Sequence, residues 1–216
     1  MTRKEISEVT RKEISKVTRH IWAVGRNYVD HAKEMNADLP NSPLFFLKAG
    51  GCLVDSSKIT IPSWSNNIHH ELEIALRVKE KNGALHFSEM ALALDLTERD
   101  FQSEAKRKGQ PWTLAKSFTG SCPVSSWISY DANTVYSFQL LVNGSLRQSG
   151  DTTKMIFSPA ELLSFANTHF PIENGDILLT GTPAGVAQIH AGDHLDGRLI
   201  AAGKSEPVLT CHWNVN

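Results

Sequence analysis

Apolar and polar positions alternate along two stretches in the middle of the chain, and such alternation predicts β-strands. The first stretch, 69–76, places its large apolar residues on one face and Glu71 and Glu73 on the other. In the second stretch, 91–96, Asp95 interrupts an apolar run. Because a buried carboxylate without a partner is costly, three acids on two apolar strands indicate that a cation lies between them.

The remaining pattern predicts more strands than helices. Further strands are expected at 17–24, 44–48, 135–142, 145–149 and 177–180, and helices at 29–35, 97–107 and 158–167. Asn143-Gly144 is a strong hairpin signal, and Ser158 with Glu161 forms a capping box. Thr97 is expected to cap the second helix. No linker divides the chain, so the prediction is a single α+β domain rich in mixed or antiparallel sheet.

Composition narrows the class of protein. A chain of 216 residues with 41% apolar residues suits one domain with a small appendage. A net charge of −1 gives no support for binding to nucleic acid or to an anionic membrane, and no stretch has the apolar length to span a bilayer. Cys52, Cys122 and Cys211 are widely spaced, which favours reduced thiols in a cytoplasmic protein.

The first residues contain a short duplication, in which residues 2–9 are echoed by residues 10–17. A single repeat of eight residues is too short for a solenoid. We therefore expect 1–19 to be an N-terminal arm without chemistry and 20–216 to be the catalytic domain.

Oxygen ligands favour a hard ion, Mg²⁺, Mn²⁺ or Ca²⁺, over zinc. Two alternatives stay open at this point. Glu71 and Glu73 could lie on the solvated face of an antiparallel sheet. Likewise, His31 and Glu34, three residues apart on the predicted first helix, could be a solvated pair, or a base with an orienting partner if a metal lies nearby. The motifs of serine hydrolases and of nucleoside-triphosphate enzymes do not occur.

The chain resembles the fumarylacetoacetate hydrolase family, in particular its small single-domain acylpyruvases. The matching stretches are Val24-Gly-Arg-Asn-Tyr-Val-Asp-His31, His69-His-Glu-Leu-Glu73, Leu94-Asp-Leu-Thr-Glu-Arg-Asp100, Gly109-Gln-Pro-Trp-Thr-Leu-Ala-Lys-Ser-Phe118 and Leu179-Thr-Gly-Thr-Pro183. They occur in the expected order and together are highly specific. The resemblance implies a β-rich α+β roll with a mixed sheet, and usually a homodimer. Relatives have a longer connection between the second glutamate and the aspartate.

The resemblance also implies roles for individual residues. Glu71, Glu73 and Asp95 would hold Mg²⁺ or Mn²⁺, with Ca²⁺ as a third candidate. His31 and Glu34 would form the general-base pair on a mobile lid, and Lys116 would face the substrate. Arg99, Gln102 and Thr182 match positions that bind substrate in relatives.

The function that follows from this resemblance is a metal-dependent hydrolase. It would cleave the carbon–carbon bond of short acylpyruvates, such as acetylpyruvate or fumarylpyruvate, to pyruvate and a carboxylic acid. One alternative is an oxaloacetate decarboxylase or keto-enol tautomerase that uses the same metal-enolate chemistry. A second is a non-catalytic, metal-stabilised binding module. The expected partner is a small β-diketo or 2-oxo acid.

Overall fold

The computed structural model describes residues 18, 20–35 and 38–216, so the predicted arm lies almost entirely outside the described residues. The strands are β1 His20–Gly25, β2 Leu44–Ala49, β3 Leu53–Val54, β4 Lys58–Ile59, β5 Ile68–His70, β6 Leu72–Lys81, β7 Ala84–Leu94, β8 Thr97–Glu98, β9 Cys122–Pro123, β10 Ile128–Ser129, β11 Tyr136–Val142, β12 Ser145–Asp151, β13 Ile177–Leu179, β14 Ala187–Gln188, β15 His194–Ala201 and β16 Leu209–Val215. The helices are α1 Val29–Glu34, α2 Arg99–Lys108, α3 Thr113–Lys116 and α4 Pro159–His169, with short 3₁₀ turns at Gly50–Cys52 and Thr152–Lys154.

Two large sheets carry the fold. One has six strands in the order β10-β7-β6-β13-β1-β2. In this sheet β1 runs parallel to β13, and all other neighbouring strands are antiparallel. The other has five strands in the order β12-β11-β15-β16-β4, with β16 parallel to β4. Strands of both directions therefore occur in each sheet, and the predicted α+β class with mixed sheets is confirmed.

The main core lies between these sheets. Leu72, Ile74 and Leu76 on β6 belong to one apolar cluster with Phe138 on β11 and Trp213 on β16. All five side chains are buried. The large apolar face of β6, which the alternating pattern predicted, thus packs against the second sheet.

A direct hairpin joins β6 to β7. Its two-residue turn is Asn82-Gly83, with φ angles of 54° and 77°, as a type I′ turn requires. The pairing places Glu73 opposite Ala93, and the backbone N–H of Asp95 donates to the carbonyl oxygen of Glu71 at 2.8 Å. A tight turn therefore joins the two strands, and their pairing brings Asp95 to the glutamates.

Local predictions can be compared with the structure. The capping box of Ser158 and Glu161 and the hairpin at Asn143-Gly144 are confirmed. The prediction that Thr97 caps α2 is wrong: the carboxylate of Glu98 accepts the N–H of Phe101, while the Thr97 hydroxyl donates to Asp95. Thr97 is held in β8, so its side chain points away from the helix end.

The three cysteines are free, as predicted, and all three are buried. Among the described residues, no helix has the length and apolar character to cross a bilayer.

Candidate active site

Three buried carboxylates meet at the end of the β6–β7 hairpin. One oxygen of each of Glu71, Glu73 and Asp95 lies within 4.8 Å of the others. Their exposed fractions are 4%, 1% and 1%. The alternative that the glutamates lie on a solvated sheet face is therefore wrong.

The local sequence explains why these carboxylates fit inside the protein. On the face of the hairpin opposite the large leucines, the neighbouring residues are Ala75, Ala91 and Ala93, which form part of a second buried cluster. Methyl side chains leave space beside the backbone that leucines would fill. The alternation of leucine and alanine thus gives each face of the hairpin an apolar cluster, and Glu73 continues the alanine face at the end where the carboxylates meet.

Two buried lysines neutralise part of this negative charge. The ammonium of Lys116, on α3, donates to Glu71 Oε2 at 2.7 Å, to Asp95 Oδ2 at 2.5 Å and to Thr97 Oγ1 at 2.7 Å. The ammonium of Lys48, on β2, donates to Asp95 Oδ1 at 2.6 Å. Asp95 is therefore bonded to a lysine on each of its oxygens.

The carboxylates differ in their electrostatic environment. Burial alone would raise the pKa of Glu71, but Lys116 and Arg99 hold that pKa well below its usual range. Burial, together with the charges of Asp95 and Glu71, raises the pKa of Glu73 well above its usual value. Burial opposes the charge of Lys116, but the carboxylates of Asp95 and Glu71 raise its pKa.

Glu73 is the carboxylate that lacks a cation. Its Oε2 accepts the backbone N–H of Gly181 at 2.6 Å, and among the described residues no basic side chain forms a salt bridge with it. An unpaired carboxylate at 1% exposure is expensive to keep ionised. A divalent cation held by the three carboxylates would remove that cost, so this donor set fits Mg²⁺ or Mn²⁺.

The predicted base pair lies at the same pocket. His31 Nδ1 is 3.1 Å from Glu34 Oε2, and His31, at 7% exposure, lines the pocket together with the three acids. The other Glu34 oxygen accepts the backbone N–H of Gly185 at 3.0 Å. A neutral imidazole that donates Nδ1–H to the Glu34 carboxylate has its lone pair on the second ring nitrogen, where it can act as a base.

The predicted substrate-binding residues also line the pocket. Arg99 donates from Nη2 to Glu71 Oε1 and from Nη1 to Gln102 Oε1, both at 2.7 Å. The Thr182 hydroxyl donates to the carbonyl oxygen of Leu72 and accepts from Gln148 Nε2, each at 2.8 Å. The structure thus brings together every predicted site residue, while their roles in binding and catalysis stay predictions.

Sequence reasoning missed two groups that support the site. Lys48 could have been found in the same way as Asp95, because it too is a charged residue in a predicted strand that is otherwise apolar. Gln148 gave no such signal: it joins His70, Leu72 and Thr182 through buried hydrogen bonds of 2.8–2.9 Å and fixes the strand that carries the glutamates.

Comparison with known proteins agrees with this geometry. A model of the fumarylacetoacetate (FAA) hydrolase C-terminal region matches residues 20–208. The chain belongs to the fumarylacetoacetate hydrolase family. It is 42% identical over 189 residues to the oxaloacetate tautomerase FAHD1, mitochondrial, of Bos taurus, an alignment that covers 82% of this chain and 85% of that protein. It is 39% identical over 187 residues to an oxaloacetate decarboxylase, mitochondrial, of Dictyostelium discoideum, covering 81% and 85%.

A solved member of the family has a similar structure. The fumarylpyruvate hydrolase of Pseudomonas aeruginosa, crystallised with Mn²⁺ and pyruvate, has a TM-score of 0.81 and 28% sequence identity, and the match covers 92% of this chain and 89% of that chain. Membership of this family makes the protein an enzyme, and the non-catalytic alternative loses its support.

Proposed function

We propose that this protein is a divalent-metal-dependent oxaloacetate keto-enol tautomerase. The observation that carries the proposal is the buried cluster of Glu71, Glu73 and Asp95 beside the His31–Glu34 pair. The chain's similarity to curated tautomerases supports the choice of oxaloacetate. Glu71, Glu73 and Asp95 would hold the metal, and Mg²⁺ or Mn²⁺ fits their oxygen donors better than Ca²⁺ fits so small a set.

A bound divalent ion would supply Lewis-acid stabilisation of the negative charge on an enolate oxygen. The protein's own residues would move the proton. The second ring nitrogen of His31 would take a proton from the methylene carbon of oxaloacetate, and the imidazolium so formed would return that proton to the enolate oxygen to complete the enol. Glu34 would hold the imidazole in the required tautomer and stabilise the imidazolium. Arg99 and Gln102 would orient the substrate.

Hydrolysis of short acylpyruvates is the second candidate. The structural similarity to a fumarylpyruvate hydrolase supports it. In that reaction His31 would take the proton from a water molecule that attacks the distal carbonyl carbon. Loss of CO₂ from oxaloacetate would need neither the water nor the base. The three reactions therefore differ in what His31 does.

A substrate panel tests the proposal. Purified protein with Mg²⁺ or Mn²⁺ should accelerate the interconversion of keto- and enol-oxaloacetate, followed by the ultraviolet absorbance of the enol, and EDTA should remove that acceleration. Acetylpyruvate and fumarylpyruvate, assayed under the same conditions, report hydrolysis, and release of CO₂ reports decarboxylation. If the metal-loaded protein acts on acylpyruvates but leaves oxaloacetate tautomerisation at the uncatalysed rate, the second candidate replaces the first.

Two further predictions complete the proposal. We propose a homodimer, which light scattering on the purified protein would test. We also propose a cytoplasmic location, although the relatives from Bos taurus and Dictyostelium discoideum are named mitochondrial, and cell fractionation would distinguish the two.

A further inference from the structure

Two cationic side chains in the pocket have no carboxylate partner. Arg26 and Lys106 line the same pocket as the acidic cluster, and neither forms a salt bridge within the described part of the chain. The other two cationic side chains of the lining, Arg99 and Lys116, are already paired, since both donate to the carboxylate of Glu71. Arg26 and Lys106 are therefore the cations of this lining that remain available to an incoming anion.

Lys106 and the loop that carries Arg26 both lie beside Trp112. The ammonium of Lys106 is 5.3 Å from the centroid of the Trp112 ring. A side chain added at Gly25, the neighbour of Arg26, would lie 3.5 Å from the same ring. Desolvation, followed by the charges of Arg99 and Arg26, lowers the pKa of Lys106 to about 8. The charges of Arg99 and Arg26 therefore act on Lys106, which places these three cations near one another in the pocket.

The backbone at Arg26 is held in a conformation that side chains rarely adopt. Its φ angle is 60°, in the left-handed region. The next residue, Asn27, is fully buried and fixes the loop by donating to the carbonyl oxygens of Thr180 at 2.8 Å and Phe157 at 3.0 Å. A strained residue that is anchored in this way and lines a pocket is typical of a functional site.

The charge of the pocket favours a substrate with two carboxylates. Its lining holds four cationic side chains, of Arg26, Arg99, Lys106 and Lys116, against three carboxylates, and a divalent ion would add two further positive charges. A 2-oxo acid bound to the metal through its first carboxylate and keto oxygen would leave most of this positive charge unbalanced. A second carboxylate at the pocket mouth would offset it.

We propose that Arg26 and Lys106 form a subsite for the distal carboxylate of a 2-oxo dicarboxylic acid, and that this subsite makes the enzyme prefer dianionic over monoanionic substrates. The inference rests on the proposed function and specifies its substrate class. Oxaloacetate and fumarylpyruvate carry the second carboxylate, whereas acetylpyruvate does not.

Charge-removing variants test the subsite. In Arg26→Gln and Lys106→Gln, kcat/KM for dicarboxylate substrates should fall about 10- to 100-fold, chiefly through KM, because each variant loses a charge-assisted hydrogen bond. The factor by which kcat/KM for acetylpyruvate falls should be at least about tenfold smaller than the factor for dicarboxylate substrates. Arg26→Lys, which keeps the charge, should recover part of the loss. The matched control is Lys108→Gln, which removes a charge from the same helix where Lys108 pairs with Glu104, and it should behave as wild type.

Direct binding separates the subsite from catalysis. Calorimetric titration of the Mg²⁺-loaded protein with 2-oxoglutarate and with 2-oxobutyrate compares a diacid with a monoacid. The ratio of their dissociation constants should shrink about 10-fold or more in Lys106→Gln, a surface change that leaves the fold intact.

Each outcome decides the matter. Equal losses for mono- and dicarboxylates in both variants, or no loss in either, would overturn the subsite even if wild-type turnover is confirmed. A wild-type protein without metal-dependent turnover would instead overturn the proposed function, and the calorimetric ratio would still report on the subsite.

Discussion

At the scale of single residues, chemistry at this site depends on which charges are paired. Asp95 has a lysine on each oxygen, Glu71 has Lys116 and Arg99, and Glu73 has a backbone N–H alone. Partner choice therefore distinguishes three carboxylates that look equivalent in the sequence. His31 differs from the other carboxylate-paired histidines of the described chain, His20, His190 and His212, because it lines the pocket of the three acids.

The first prediction concerns His31. The variant His31→Ala should slow oxaloacetate tautomerisation by roughly 10²- to 10⁴-fold, because the positioned base is lost. Binding of Mn²⁺, measured by calorimetry, should persist, since His31 is not one of the three carboxylates. His190→Ala, which changes an exposed histidine, is the control. Wild-type turnover in His31→Ala would rule out the base assignment.

The second prediction concerns pH. Lys106 faces Arg99, Arg26 and Lys116 and one carboxylate, Glu71, and its pKa is lowered to about 8. Lysine is cationic below its pKa, so the subsite loses a charge as pH rises through about 8. The KM for oxaloacetate should therefore rise above that pH while its two carboxylates stay ionised. In Lys106→Arg, where the charge persists, the rise should disappear. An identical pH profile in both proteins would contradict the prediction.

At the scale of elements, tight turns place the reactive side chains. The Asn82-Gly83 turn, together with the register shift between Arg77 and Val78, sets the pairing that brings Asp95 to Glu71. The loop 181–185 supplies backbone N–H groups to Glu73 and Glu34. Backbone donors on a fixed loop hold carboxylates without adding a charge. The loop thus contacts both Glu73 and the His31–Glu34 pair.

The third prediction tests that loop. At Gly185 φ is +101°, and an added Cβ would lie 1.9 Å from the carbonyl oxygen of Arg147, so Gly185→Ala must displace the backbone. We expect a loss of at least about 2 kcal/mol in the free energy of unfolding, measured in urea. The control is Gly51→Ala, where an added Cβ meets nothing within 4 Å. Equal midpoints for Gly185→Ala and wild type would show that the loop adapts without cost.

At the scale of the whole molecule, the same three buried carboxylates affect both the stability of the fold and the proposed function. The site lies at the end of a hairpin whose other face belongs to the main core between the sheets. Because the carboxylates are buried in the folded state alone, a metal that binds them binds the folded protein and stabilises it.

The fourth prediction is this stabilisation. At a Mn²⁺ concentration of about 100 times Kd, linkage gives about 2.7 kcal/mol, or roughly 5–10 °C in Tm for a chain of this size. Calorimetric melting with Mn²⁺ and with EDTA measures the shift. Glu73→Gln keeps the volume of the side chain but removes its charge, so it should abolish most of the shift. A Tm that does not respond to Mn²⁺ in the wild type would refute the ligand set.

The sequence by itself determined the local elements and the chemical type of the site. Alternation along 69–76 and 91–96 predicted the strands, and the capping box predicted α4. The family motifs contain His31, Lys116 and the three acids. These features are readable because periodicity and capping depend on near neighbours in the chain.

Tertiary structure alone decided the pairing of charges. Lys48 reaches Asp95 from 47 positions away, and Gln148 reaches His70 from 78. Contacts over such separations depend on sheet order and register, which no local pattern encodes. For the same reason, only the tertiary structure shows that, within the described part of the chain, Glu73 has no basic salt-bridge partner and Arg26 and Lys106 have no carboxylate partner.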